Sequence, residues 1–207
     1  MSCGCEVSPE EIEVLKYTFD TILKSGMTPS IDECCSSLKK SREEIIHTLD
    51  ELERKDILLR KRGTQEIISV YPLSLIPTEH RIILENGNEL FAMCAVDALG
   101  MPAMFSKNVT IISKCTRCKQ EITIEIRNAE ITSMSHPDVT IYSPISQVAP
   151  AAQICCPNVN FFCSTQHAQK WVEEDPKRAG RITQISNQTF RKIKECWKSY
   201  GKMLGYN

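Results

Sequence analysis

The sequence predicts an α+β protein in two parts: a winged-helix-like domain over residues 1–77, then a mixed α/β domain over residues 78–207 with a mainly antiparallel sheet. Three observations predict it. Three segments with helix-start signatures are followed at once by two short β-rich runs. Pro72 and Pro77 then mark a linker. Beyond it, short apolar runs alternate with helical patterns.

In the first part, residues 8–24 read as a helix. Ser8 is the N-cap, Pro9 sits at N1 and Glu11 at N3, while Ile12, Leu15, Phe19, Ile22 and Leu23 recur at helical spacing up to Gly26. Ser30-Ile31-Asp32-Glu33 repeats the capping box for a short helix through Leu38, and Ser41-Arg42-Glu43-Glu44 opens a third with Ile45, Leu49 and Leu52 as its buried stripe. The extended runs Ile57–Arg62 and Gln65–Tyr71 join across Arg62-Gly63-Thr64. Three helices and a hairpin is the order of a winged helix-turn-helix, whose third helix reads DNA in regulators. Here that helix starts with more acid than base, so the domain reads as a scaffold or dimerisation module.

In the second part, a strand at Arg81–Leu84 leads through a turn at Asn86-Gly87 to a helix from Asn88 to Leu99, stopped by Gly100 and Pro102. Val109–Ile112 and Ile122–Ile126 form a hairpin with Cys115-Thr116-Arg117-Cys118 at its tip. Val139–Tyr142 and Val159–Phe162 are further strands. Ser164 caps a helix through Glu174, Arg181–Ile185 is a short strand, and residues 187–204 form a final amphipathic helix.

Composition narrows the function. The chain of 207 residues carries 25 Lys+Arg against 26 Asp+Glu, a net charge of -1, which argues against a nucleic-acid binder driven by bulk electrostatics. No apolar stretch approaches the roughly 18–20 residues needed to span a bilayer. The opening Met1-Ser2-Cys3-Gly4-Cys5-Glu6 lacks a basic segment followed by an apolar run, so the expected compartment is the reducing cytoplasm. Eleven cysteines are the outlier. Their odd number excludes full pairing within one chain, and cytosolic thiols serve metals or catalysis.

Two cysteine segments carry chemistry. Cys94 and Asp97, three positions apart on the expected helix, share one face among Phe91, Met93, Val96 and Leu99. An apolar setting raises a carboxylate's pKa and favours a form able to donate a proton. The plainer reading, a small cysteine in the core, also stands. Adjacent Cys155 and Cys156, in extended backbone, point to opposite faces, so only one can face a given pocket.

Cys-Ala-Val-Asp-Ala-Leu before Met-Pro-Ala, then Cys-Cys before a Phe-Phe strand some 50 residues on, resembles the alkylmercury (organomercurial) lyases from about Leu90 to Trp171. Their winged-helix-like start matches as well. The resemblance implies protonolysis of R–Hg⁺ to R–H and Hg(II). Cys94 and Cys155 would bind mercury, Asp97 would be the acid–base group and a further candidate ligand, and Cys156 a buried neighbour without direct role. It implies no resident cofactor. Small thiols would act as co-reactants, and they or a mercuric reductase would accept Hg(II). Thiolate suits mercury because both are soft. The chain departs from the family where Pro157-Asn158-Val159-Asn160 replaces a His-rich stretch, and in having two cysteines in the hairpin.

Cys115 and Cys118 have the spacing of half a zinc site, with no CxxC or HxxxH partner evident. A plain exposed hairpin or an auxiliary mercury-trapping pair are the readings set beside zinc. Cys3, Cys5 and Cys163 exceed what the mechanism needs, and the scattered His47, His80, His136 and His167 argue against a histidine-based metal centre. Two rivals share these thiols: a metal-sensing winged-helix transcription factor, and a non-catalytic relative that binds soft metals.

Overall fold

A computed structural model of the chain describes residues 6–145 and 155–206; Cys3 and Cys5 lie outside them. Helices α1 (Pro9–Ser25), α2 (Ile31–Leu38) and α3 (Arg42–Arg54) all begin with complete capping boxes, Ser8 with Glu11, Ser30 with Glu33 and Ser41 with Glu44. In each, the serine satisfies the N3 amide while the glutamate reaches back to the cap amide. Gly26, at φ 75°, closes α1 in the left-handed conformation that glycine adopts without strain. Val14, Leu15, Phe19 and Ile22 of α1 meet Ile45, Leu49 and Leu52 of α3 in the core.

Strands β1 (Leu58–Arg60) and β2 (Ile67–Val70) pair antiparallel after the third helix, as expected. The hairpin is nevertheless the rim of something larger. β2 pairs with β3 (Leu73–Ser74), and β3 with β5 (Glu89–Ala92). With β4 (Arg81–Leu84), β6 (Val109–Lys114), β7 (Glu121–Arg127) and β8 (Glu130–Met134) they form one eight-stranded sheet in the order β1-β2-β3-β5-β4-β6-β7-β8. Every pairing is antiparallel. The sheet thus runs through the Pro72–Pro77 segment without a break.

A smaller antiparallel sheet has β9 (Thr140–Pro144) between β10 (Asn160–Phe162) and β11 (Gly180–Gln184). Helix α5 (Thr165–Glu173), capped by Ser164, packs on it. Its aromatic core joins Tyr142 and Phe162 to Trp171, at centroid distances of 5.0 and 5.4 Å.

The helix expected from Asn88 is corrected. Glu89–Ala92 is strand β5, held against β4 across the Asn86-Gly87 turn, with Leu90 and Ala92 buried. Helix α4 starts only at Ala95 and runs through Gly100 and Pro102 to Met104. These residues do not stop it because α6 (Asn187–Met203) takes over the packing. A Cβ on Gly100 would lie 1.8 Å from Trp197 Cδ1, and one on Gly201 2.2 Å from the Met104 carbonyl oxygen. Close approach of two helix backbones therefore fixes α4, and with it the site.

Candidate active site

Cys94 is the N-cap of α4, in extended backbone, and the Asp97 amide donates to its sulfur at 3.4 Å. Cys94 and Asp97 therefore stand at the cap and third positions of one helix start, which keeps thiol and carboxyl together as i, i+3 spacing would. The Ala95 amide donates to the Val159 carbonyl at 3.1 Å, drawing the second cysteine segment onto the helix start. Cys156 Sγ donates to Asp97 Oδ2 at 3.7 Å. One ligand atom from each of Cys94, Asp97 and Cys156 lies within 4.8 Å of the others, and all three residues are buried.

The thiol that joins is Cys156, where Cys155 was expected. The pair is not extended: Cys155 has helical dihedrals (φ −81°, ψ −56°) and leads into a single 3-10 turn over Cys156–Asn158. A helical turn rotates successive side chains by about a third of a circle rather than a half. Cys156 consequently faces Asp97, while Cys155 stays half-buried beside the group.

Burial sets the electrostatics. It pushes the Asp97 carboxyl up from 3.8 to about 6, against the polar groups of Cys94, Tyr71 and Cys156 that favour the charged form. Burial, then the neighbouring acidic groups, also raises the Cys94 thiol well above its usual range. Asp97 Oδ1 is buried with no hydrogen-bond partner among the described residues. An orphaned carboxylate oxygen is rare enough to call for a functional account. Here it leaves an acceptor open to an incoming proton or ligand.

Tyr71 was not anticipated. Lying just after β2, it stacks on Trp197 at 5.2 Å, and its phenol faces Asp97. Burial foremost, then Asp97, holds that phenol protonated. No local pattern marks Tyr71, because it reaches the site through the sheet.

Cys156 lines a cavity of about 310 Å³ with Ile68, Ile76, Met93, His80 and Pro157. Cys94 and Asp97 do not line it, so Cys156 is the member of the cluster on the cavity wall. His80 is buried, pairs its Nδ1 with Ser113 Oγ at 2.9 Å, and is lowered to about 4 by burial. It is therefore neutral at physiological pH and leaves the cavity without a cation of its own.

A second cluster of side chains able to ligate a metal, Cys115, Cys118, Cys163 and His167, gathers at the β6–β7 hairpin tip. Among the described cysteines, Cys34 is buried in the core, Cys35 is half-buried and Cys196 is exposed.

A family model described as alkylmercury lyase (MerB) matches residues 73–193, which contain all of Cys94, Asp97 and Cys156. The chain belongs to the alkylmercury lyase family. It is an enzyme of the kind that cleaves carbon–mercury bonds. An alkylmercury lyase of Staphylococcus epidermidis is 26% identical over 168 residues, covering 79% of this chain and 74% of that one. One of Bacillus cereus is 26% identical over 180 residues, covering 84% and 78%. A crystal structure of the mercury-bound form of MerB2 superposes with a TM-score of 0.77 at 25% identity, over 96% of this chain and 91% of the other. A LexA repressor of Lactobacillus helveticus is 35% identical over 52 residues, a quarter of each chain. Among the described residues, no helix is long and apolar enough to cross a membrane.

Proposed function

We propose that this lyase holds mercury between Cys94 and Cys156 and that Asp97 carries the proton to carbon. The observation that carries the reading is the buried convergence of two thiols on a carboxyl with one free oxygen. A substrate R–Hg–SR′ enters the cavity and meets Cys156 first. Thiol exchange forms the Cys156 S–Hg bond, and R′SH leaves with the Cys156 proton. Cys94 then adds its sulfur to mercury and gives its proton to ionised Asp97. Asp97 passes that proton to the carbon as the C–Hg bond breaks, releasing R–H and leaving Hg(II) on two thiolates. No oxidation state changes. Soft thiolates suit mercury throughout, and the depth of the site lets a near-neutral carboxyl serve as both acceptor and donor. Small thiols, or the paired cysteines of a mercuric reductase, then remove the product in a reducing cytoplasm.

The mercury-bound form named for the MerB2 structure supports mercury as the metal that this fold handles. The test is benzene release from phenylmercury with excess thiol, followed by gas chromatography. Cys94→Ser, Asp97→Ala and Cys156→Ser should each abolish release, with Asp97→Ala still retaining mercury. Cys155→Ser should keep most of the turnover. The reverse pattern in the two adjacent cysteines would transfer the mercury ligand to Cys155 and overturn the role given to Cys156.

The helices α1–α3 with the β1–β2 hairpin serve, in this reading, as a winged-helix scaffold that delivers Tyr71 to Asp97. The order of three helices and a hairpin, α1–α3 with β1–β2, favours a second reading, a duplex-DNA-binding start. Glu43 and Glu44 in the first turn of α3 oppose it. Salt-dependent retardation of duplex DNA would establish it.

A further inference from the structure

We propose that Cys115, Cys118, Cys163 and His167 form a structural tetrahedral zinc site, separate from the mercury-handling thiols. Cys115 and Cys118 lie in the turn between β6 and β7, Cys163 immediately follows β10, and His167 is in the first turn of α5. A zinc ion with Zn–S near 2.3 Å and Zn–N near 2.0–2.1 Å demands tetrahedron edges of about 3.8 Å between sulfurs and about 3.6 Å between sulfur and nitrogen. Cys118 and Cys163 have their sulfurs 3.7 Å apart. Cys115 Sγ lies 3.6 Å from His167 Nδ1, and Cys163 Sγ lies 3.1 Å from the same nitrogen. All four ligand atoms fall within 4.8 Å of one another. Three sulfurs and one imidazole are a complete donor set for zinc, without a vacant position for chemistry.

The backbone is shaped for the same purpose. The Cys115 amide donates to the Gln120 carbonyl and the Lys119 amide to the Cys115 carbonyl, each at 2.8 Å, with Lys119 in the left-handed region at φ 62°. The Arg117, Cys118 and Cys163 amides are directed at the Cys115 sulfur. Donors aimed at a sulfur suit a metal-bound thiolate. The Thr116 amide donates to the Phe161 carbonyl at 3.0 Å, which brings hairpin and β10 together. The ion would therefore join the large sheet, through β6 and β7, to the small sheet, through β10. Cys156 lies four residues before β10, so the same ion would steady the segment that carries it.

An oxidised pair is the competing reading. The 3.7 Å between Cys118 and Cys163 sulfurs is far beyond the roughly 2.05 Å of a disulfide. A reducing compartment also disfavours it.

The test is metal content of the full chain, purified under thiol reductant without chelator from zinc-supplemented cells. Elemental analysis should find about one zinc per chain in the wild type and in Cys94→Ser, and a near-complete loss in Cys118→Ser and His167→Ala. Cobalt(II), exchanged into the wild-type site, should give tetrahedral ligand-field bands with thiolate-to-metal charge transfer. His167→Cys should retain the metal with those bands shifted, which keeps the test decisive should the other variants fail to fold. Substoichiometric zinc in the wild type without tetrahedral cobalt bands would overturn the proposal. So would zinc retained equally by Cys118→Ser, or zinc lost on Cys94→Ser.

Discussion

Replacing Asp97 by asparagine should stabilise the protein near neutral pH while ending turnover. The carboxyl ordinarily titrates at 3.8 and is raised to about 6 by burial. The folded state thus holds the proton more tightly than the unfolded state. Its contribution to stability is present below about pH 4 and is lost as pH rises through about 6. Roughly two pKa units at about 1.4 kcal/mol each make the full loss about 3 kcal/mol at pH 7.5. At pH 4.5 about 1 kcal/mol of it has already been lost. Asparagine keeps the size and carries no charge to bury, so it escapes this loss. In urea unfolding under reductant, the advantage of Asp97→Asn over wild type should grow by about 2 kcal/mol between pH 4.5 and pH 7.5. At pH 7.5 it corresponds to roughly 6–12 °C in melting temperature for a chain of this size. An advantage independent of pH, or a variant less stable than wild type at pH 7.5, would refute the burial argument.

The same carboxyl has to be ionised to accept the Cys94 proton. Single-turnover benzene release should therefore fall about tenfold per pH unit below an inflection near 6. Gly100→Ala should cost about 1–3 kcal/mol by forcing α4 away from Trp197, whose ring stands 1.8 Å from the new Cβ. Combining it with Trp197→Leu should recover part of that loss, as a shared contact requires, in denaturant midpoints.

The local grammar of the chain was legible. Three Ser-x-x-Glu boxes, a C-terminal glycine and the apolar stripes of α1 and α3 place those helices from residues within a few positions of one another. Asp97 and Cys94 were visible because they share one helix start. The strand at Glu89–Ala92 was not, because its burial comes from pairing with β3 and β4 and its pattern is too short to separate from a helix. Which of Cys155 and Cys156 turns inward depended on a 3-10 turn no residue announces. Pro157 restricts its neighbour without specifying that turn. His167 was set aside for lack of a histidine partner. The signal was mixed, a cysteine four residues before it across a strand–helix boundary.

The pairing of β3 with β5 has a consequence for how this chain can be rearranged. The stretch between Pro72 and Pro77 looks like a joint where one protein's start could be spliced to another's remainder. In three dimensions it lies mid-sheet, and the Tyr71 ring just before it rests on Trp197 and faces Asp97. A chimera cut there would have to match strand register and an aromatic stack at once, so the two portions should exchange between relatives only as one inherited block. Insertions belong instead at turns such as Arg62-Gly63-Thr64, where added residues would disturb neither sheet nor thiols.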